Sequence, residues 1–517
     1  MYAGFVIGVA FIKHDYLWIT HDDANLLQQA ILITNGFLPN VDYFSGYPGL
    51  SLYLQSMLIR LFGTFPFVQH IYSAILLLFL GVLFFWIGRK LDPIVVFSLL
   101  IFSYSQSLWL NPTPNPGYLF DLFFILGILK SHEYFTTYRK RIAIYAGVFF
   151  GLAFCSKQYG LFGPIMFFIG TVALLNFNGQ FKRFFTAFIC FLVIFSFLVV
   201  STSLRNEFNV SDLILNTAVF VVPILMIVFK LCSKLDAKNQ VLSVTTFLYA
   251  NTLCVLSFLI TIYFYFLVQY GSNEVVSVFY QIMIAAPTRI NEHFLPVSFS
   301  LNATLKTLLG LAIVYICMCL PRVHSRLVSD LISTVLLALL ALVLYNNVNL
   351  SATVFVPSLL ALIVIHFVKE KSDTLHVMFA MILGIMPILM LLITYPKPTY
   401  HIPLLLCILL LFSEHNIIST LANRGRIVIF ILVSSFVVFM LLNLKARMDL
   451  YPSYSFSDLT FKTKDKKWEK SISEAYLVHN SSYLCKTYGC RYLLMTIPGF
   501  TDFHKVIEHR DNKDPFE

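Results

Sequence analysis

The sequence predicts an all-α polytopic membrane protein, built as a transmembrane bundle of about 13–15 apolar helices. Composition is the first reason: 58% of the 517 residues are hydrophobic and only 12% are charged, whereas ordinary domains carry about 25% charged residues. The second reason is the abundance of aromatic residues, 52 Phe and 27 Tyr, which suits helices that face lipid and its interfaces. A soluble globular fold does not account for this composition.

Long apolar runs, separated by short polar connections, define the predicted helices. Several runs are shorter than the roughly 20 residues that a full crossing needs, so tilted, broken or re-entrant helices are expected. Met1–Ile12 is expected to form a short first crossing. The other runs are 67–88, 92–110, 118–131, 142–157, 159–176, 184–204, 212–231, 242–269, 301–320, 328–345, 351–368, 375–395, 398–413 and 425–443.

The basic residues predict which ends of the helices face the cytoplasm. The net charge of +10 comes from short Lys and Arg clusters between apolar runs, which indicates membrane topology rather than nucleic-acid binding. If all the clusters lie on the cytoplasmic side, an even number of membrane crossings separates each pair of neighbouring clusters. The clusters are Arg89 with Lys90, Arg139 to Arg141, Lys182 with Arg183, Lys230 to Lys238, Arg322 with Arg326, Lys369 with Lys371, and Arg424 with Arg426.

This topology predicts the domain organisation. A transmembrane domain spans 1–444, with external loops at 13–66 and 270–300, and 445–517 forms a small external C-terminal α+β lobe. Within the lobe, Cys485 and Cys490 are predicted to form a disulfide, because an external tail meets an oxidising compartment.

The first external loop is the most distinctive polar segment of the chain. It opens with Asp22 and Asp23, and adjacent carboxylates beside a bilayer are costly unless they bind or act on something. An amphipathic helix after them, a turn at Pro39–Asp42 and a second helix after Pro48 predict two interfacial helices. The alternative is a polar loop in which Asp22 caps a helix.

The order of motifs in this loop resembles the first external loop of the C-type (GT-C) integral-membrane glycosyltransferases. The nearest group contains the protein O-mannosyltransferases and the lipid A aminoarabinose transferase. The resemblance extends over most of the chain and is strong in its first half. It implies a GT-C fold and a sugar donor linked to polyprenyl phosphate. The motifs are the acidic pair, Asn35-Gly36, Pro39, Asp42-Tyr43-Phe44, Tyr47-Pro48-Gly49, the helix with Tyr53, and Phe62-Gly63.

Two charged residues lie at the external ends of predicted helices. Asp121 follows a rigid Pro-rich turn at Asn111–Gly117, and the resemblance implies that it joins the loop carboxylates. Lys157 ends a helix in which Gly147 and Gly151 permit close packing, and it can hold a lipid-linked phosphate. The alternatives are a capping or waterside Asp121 and a Lys157 that extends to the membrane interface.

Further donor-phosphate ligands are predicted in the second half of the chain. Arg289 follows a predicted surface helix at Val275–Ile284 and can bind a phosphate bidentately, but a plain exposed charge cluster is the favoured explanation of this residue. Lys397, Tyr400 and His401 precede a late helix in a pattern similar to that of the family. Many relatives show the order His-Tyr, so the sequence leaves open whether Tyr400 or His401 faces the site.

The predicted reaction moves a sugar from a polyprenyl-phosphate donor to a lipid, glycan or protein acceptor. Asp22 or Asp23 serves as the general base, and the cations neutralise charge on the leaving phosphate. Asp22, Asp23 and Asp121 also offer the hard oxygen ligands that Mg²⁺ or Mn²⁺ prefers, so metal use stays open. The expected location is a bacterial inner membrane, with the site facing the periplasm or the cell exterior.

Two other functions compete with the transferase. A multi-spanning transporter or lipid flippase would use the acidic pair for ion coupling, but such proteins usually place their charges near the bilayer midplane. A degenerate relative would bind polyprenyl lipids without catalysis, although retention of both Asp22 and Asp23 argues against it.

Overall fold

A computed structural model defines the fold over the part of the chain that forms the first helices and one later long helix. It describes residues 2–12, 16–17, 21–42, 45–62, 66–98, 100–101, 116–175, 242–285 and 454–455, with single positions 188, 407 and 411. Within these ranges the chain is mostly helical.

Nine α-helices have defined bounds within the described ranges. In chain order they are α1 (Tyr2–Ile12), α2 (His21–Thr34), α3 (Leu50–Phe62), α4 (Pro66–Ile87), α5 (Pro116–Thr137), α6 (Lys140–Ser156), α7 (Phe162–Ala173), α8 (Val244–Tyr270) and α9 (Val275–Tyr280). A 3₁₀ turn, Gln158–Leu161, joins α6 to α7, and a π-helical turn, Gln281–Ala285, follows α9. Residues 93–98 are also helical.

Two of these helices are long and apolar enough to cross a membrane. They are His70–Ile87, within α4, and Val244–Tyr270, which is α8. Their bounds agree with the apolar runs predicted at 67–88 and 242–269 because a run of apolar side chains leaves helix as the backbone conformation that satisfies its own hydrogen bonds. The larger polytopic bundle stays a prediction.

The core of the described bundle lies between α5, α6 and α8. Phe124 of α5 packs against Phe150 of α6 with ring centroids 5.2 Å apart, and Phe154 of α6 meets Phe258 of α8 at 6.0 Å. All four rings are almost fully buried. Such aromatic pairs add about 0.5–1.5 kcal/mol each beyond the apolar area they bury.

Small residues allow α6 and α8 to approach closely, as the Gly147 and Gly151 spacing predicts. A Cβ added at Gly147 would collide with Ser257 Oγ and with the carbonyl oxygen of Cys254, and one at Gly151 would lie 2.7 Å from Thr261 Cβ. Both glycines are buried. The close contact therefore depends on the absence of a side chain.

Residues 21–62 contain the two predicted helices, α2 and α3, which pack against each other. Leu26 and Ile33 of α2 are buried with Leu52 of α3. Arg60, near the end of α3, donates a hydrogen bond to the carbonyl of Ile33, near the end of α2, at 3.2 Å. Because α2 begins at His21, the sequence His21-Asp22-Asp23 is part of the first helical turn and not of a loop.

The two ends of the described bundle differ in chemistry. At one end Lys140 Nζ lies 4.3 Å from the ring centroid of Tyr249, a cation–π contact between the start of α6 and the start of α8. Lys157 follows the other end of α6, and the 17 residues of that helix separate the two lysines by roughly 25 Å. The basic cluster and Lys157 therefore lie at opposite ends of the bundle.

A short backbone pairing connects two distant parts of the chain. Strand β1 (Tyr16–Leu17) pairs antiparallel with β2 (Tyr454–Ser455), with Tyr16 opposite Ser455 and Leu17 opposite Tyr454. The start of the C-terminal segment thus lies beside the segment that precedes α2. This contact has no signal in the apolar pattern of the sequence.

We predict that Gly147→Ala lowers the stability of the solubilised protein by about 1–3 kcal/mol, because the new methyl group overpacks the α6–α8 contact. Gly8→Ala is the matched control, since a Cβ at Gly8 in α1 meets nothing within 4 Å. Thermal unfolding in detergent should show a lower midpoint for Gly147→Ala alone. Equal midpoints for both variants would contradict the close packing.

Candidate functional site

Asp121 is buried in the second turn of α5. That helix begins at Pro116, a residue well suited to the first turn because its missing N–H has no intrahelical partner there. The Asp121 side chain is 2% exposed, and its Oδ1 accepts no hydrogen bond from the residues that the structure describes. A capping or waterside Asp121, the alternative from the sequence, does not fit this position.

Lys157 lies where α6 ends, and its positive charge acts on Asp121 electrostatically. Its backbone is extended (φ −152°, ψ 136°) between α6 and the 3₁₀ turn, and its N–H still donates to the Ala153 carbonyl. The side chain is 7% exposed, its Nζ lies 5.0 Å from the Tyr159 ring centroid, and it interacts electrostatically with Asp121. Lys157 therefore points into the protein and does not extend to an interface.

A short segment of the first external loop, residues 45–49, is bound to this end of the bundle; we call it the anchor loop. Gln158 Nε2 donates to the Gly46 carbonyl at 2.8 Å. The Pro48 carbonyl accepts hydrogen bonds from the hydroxyls of Tyr265, at 3.2 Å, and Tyr270, at 3.3 Å. The loop is thus held by the 3₁₀ turn beside Lys157 and by the final turns of α8.

Polar side chains of α2 and of the segment that follows it fix the shape of the anchor loop. Asn40 adopts a left-handed conformation (φ 63°), accepts a hydrogen bond from the Ser45 N–H and donates one to the Tyr47 carbonyl, both at 3.1 Å. Ser45 Oγ donates to Gln29 Oε1 at 2.9 Å. Asn40, Ser45 and Gln29 are buried, and mutual hydrogen bonds offset much of the cost of burying such groups.

Three tyrosines surround Gly49 at the end of the anchor loop. The ring of Tyr53 is edge-on to Tyr265 and Tyr270, with centroids 6.5 and 6.4 Å away. Burial raises the pKa of the Tyr53 phenol to about 12, so this side chain is neutral at any physiological pH. Tyr265 and Tyr270 therefore act as hydroxyl donors to the anchor loop, and Tyr53 contributes aromatic packing.

Asp22 and Asp23 lie in the first turn of α2, while their side chains lie outside the described residues. Carboxylates in the first turn interact favourably with the helix dipole, so a local stabilising role remains open beside the catalytic one. Asp22 is not the residue that precedes the helix, because the helix already includes His21.

The remaining predicted site residues, Arg289, Lys397, Tyr400 and His401, lie outside the described residues, as do Cys485 and Cys490. Their roles stay predictions. The helix predicted at Val275–Ile284 is present as α9 and its π-helical turn. Among the described cysteines, Cys155, Cys254 and Cys407 are buried and free.

The described residues do not bring together a donor set for Mg²⁺ or Mn²⁺. No group of three His, Cys, Asp or Glu side chains lies close enough to hold a metal within the described ranges. The side chains of Asp22 and Asp23 lie outside the described residues, so use of Mg²⁺ or Mn²⁺ stays an open prediction.

Several contacts of the site have no signal in the sequence. Cys407 lies within electrostatic range of Asp121, although hundreds of positions separate them. Tyr265 and Tyr270 belong to an apolar helix in which tyrosine is unremarkable. Gln158 has the nearest signal in the sequence, because it directly follows the predicted site residue Lys157.

Comparison with protein-family models, with curated protein sequences and with solved structures finds no match to this chain. The candidate site is therefore defined by the chain's own residues: two helices long and apolar enough to cross a membrane, and the buried side chains of Asp121 and Lys157. The resemblance to the GT-C glycosyltransferases stays a hypothesis.

We predict that Gly49→Ala destabilises the protein more than Gly36→Ala does. Both glycines have positive φ, +105° and +94°, which strains any residue with a Cβ. A Cβ at Gly49 would also lie 3.3 Å from the hydroxyls of Tyr265 and Tyr270, whereas one at Gly36 meets nothing within 4 Å. Because both variants share the backbone strain, the difference between their thermal unfolding midpoints reports on the tyrosine contacts. Equal decreases in the two midpoints would contradict the described packing of the anchor loop.

Proposed function

We propose that this protein is a membrane glycosyltransferase that moves a sugar from a polyprenyl-phosphate-linked donor to a lipid, glycan or protein acceptor. The observation that carries the proposal is the burial of Asp121 beside Lys157, at the end of the bundle to which the anchor loop is bound. The loop leads back to the helix that begins with Asp22 and Asp23. Acidic and basic groups suited to group transfer thus belong to neighbouring segments.

The lysine supplies the positive charge that the leaving group needs. When the bond between the sugar C1 and the phosphate oxygen breaks, negative charge grows on the phosphate, and a preorganised cation in a dry site stabilises it. We assign Lys157 to this role, with Asp121 as its electrostatic neighbour. Arg289, Lys397 and His401, with Tyr400, are the proposed further contacts to the phosphate.

The acidic pair supplies the base. Asp22 or Asp23 accepts the proton of the acceptor hydroxyl or amine as that atom forms its bond to the sugar C1, so that the proton leaves the acceptor and the phosphate leaves the donor in one exchange. General base catalysis of this kind contributes about 10²–10⁴-fold. Asp121, already engaged with Lys157, is assigned to orientation of the cation.

The position of the charges favours a transferase over a transporter. Transporters usually bind their substrates near the bilayer midplane, at broken helices. Lys157 follows the last residue of α6, and Asp121 lies close to the start of α5. Grouping at one end of the helices suits a site that opens to one side of the membrane, proposed here as the periplasmic or external side of a bacterial inner membrane.

We predict that substituting one member of the acidic pair abolishes most sugar transfer. Wild type, Asp22→Asn and Asp23→Asn would be compared in proteoliposomes with a panel of radiolabelled polyprenyl-phosphate sugars. Loss of the base should lower turnover on the order of a hundredfold in one variant. Glu133→Gln is the matched control, because Glu133 is exposed near the opposite end of α5, where it pairs with Lys130.

Each other outcome has a definite meaning. Equal turnover in wild type and both variants would remove the acidic pair from the mechanism. Absence of transfer from every donor by wild type would overturn the transferase and favour the transporter, which ion-coupled flux in the same vesicles would then detect.

A further inference from the structure

Gln158 connects two parts of the site that are 112 positions apart in the chain. Its side-chain amide donates to the carbonyl oxygen of Gly46 at 2.8 Å, in partly buried surroundings. The backbone N–H of Gly160, two residues on, donates to the Lys157 carbonyl at 3.0 Å. The turn that carries Gln158 is therefore itself fixed to Lys157.

The hydrogen bond has a counterpart on the other side of Tyr47. There the Pro48 carbonyl accepts from Tyr265 and Tyr270. Two carbonyls of one short loop are thus bound from two different elements of the bundle. These hydrogen bonds restrain the position of the anchor loop relative to the turn beside Lys157.

Gln158 differs from the tyrosines in what it joins. It is the covalent neighbour of Lys157, so a single peptide unit separates the proposed phosphate-binding cation from the group that holds the loop. The loop in turn is tied to α2, since Ser45 Oγ donates to Gln29 Oε1 of that helix. A displacement of Gln158 would therefore also displace Lys157, its neighbour in the chain, and α2, which is hydrogen-bonded to the anchor loop.

We propose that Gln158 is a positioning residue, which keeps the anchor loop and the helix with the acidic pair in register with Lys157. The inference rests on the proposed transferase function and extends it. Misplacement of reacting groups by about 1 Å can cost up to a hundredfold in rate. The loss of one hydrogen bond at this place therefore affects turnover far more than it affects stability.

The test uses two substitutions at Gln158 and one control. Gln158→Met removes the donor without adding charge, and Gln158→Glu keeps the shape but turns an acceptor toward the Gly46 carbonyl. The control is Asn251→Leu, which removes another side-chain hydrogen bond between helices, from Asn251 Nδ2 to Thr171 Oγ1 at 2.9 Å. That contact joins α7 and α8 away from the anchor loop.

Two measurements would be made on the full-length protein in proteoliposomes. Steady-state transfer from a polyprenyl-phosphate sugar gives kcat and KM, and hydrogen exchange reports on the amides of residues 45–49. For both Gln158 variants we expect kcat to fall about tenfold or more, KM for the donor to stay within about twofold, and loop exchange to accelerate. Asn251→Leu should lower thermal stability and leave kcat and loop exchange unchanged.

The outcomes separate this inference from the proposed function. Unchanged loop exchange in both variants would overturn the contact, and faster exchange with unchanged kcat would reduce Gln158 to a structural support. The positioning role would also be overturned if kcat fell by the same factor in the Gln158 variants and in Asn251→Leu. If wild type transfers no sugar, the proposed function fails together with the catalytic role, while exchange still shows whether Gln158 holds the loop.

Discussion

A carboxylate buried in an apolar bundle is costly to ionise, and the electrostatic interaction between Asp121 and Lys157 is the one on which the proposed site depends. Removing such charges from water costs several kcal/mol per ion. Mutual attraction offsets this cost only while both partners stay in place. The structure meets the condition by carrying one partner early in α5 and the other at the break that follows α6.

The break after α6 also holds the anchor loop in place. The helix stops at Ser156, and the residues after it form a turn. The side chain of Gln158 in this turn donates a hydrogen bond to the Gly46 carbonyl. A continuous helix would have no turn there to hold the anchor loop. The same local interruption thus supplies the buried cation and the attachment of the segment that leads to Asp22 and Asp23.

Close packing and hydrogen bonding act together around this point. Gly147 brings α8 against α6, and that approach presents Tyr265 and Tyr270 at the end of the bundle where Pro48 accepts their hydrogen bonds. A change in the helix contact would therefore displace the loop as well. Stability and site geometry share the same contacts, so functional residues and packing residues are not separable here.

The sequence predicts the helices better than the contacts between them. Hydropathy identifies α4 and α8 to within a few residues, because burial in lipid or in a bundle demands continuous apolar side chains. The small-residue spacing identifies Gly147 as a packing position for a similarly local reason. Both signals are carried by neighbouring positions along the chain.

Long-range contacts leave no such signal. The approach of Cys407 to Asp121 and the bond from Gln158 to Gly46 depend on how helices are arranged side by side, which hydropathy does not encode. The sequence pattern does not reveal that α2 begins at His21, for another reason. A turn rich in acidic residues is equally compatible with a loop or with the first turn of a helix, where the dipole favours carboxylates.

A double-mutant cycle on Asp121 and Lys157 tests the central claim most directly. Asp121→Asn, Lys157→Met and the double variant would be compared with wild type by denaturant unfolding in mixed micelles. If the two groups are paired within the bundle, each single variant leaves a buried charge without its partner, and the double variant loses less stability than the sum, with a coupling energy of about 1–3 kcal/mol. Additive losses would contradict the pairing, and with it the site built around it.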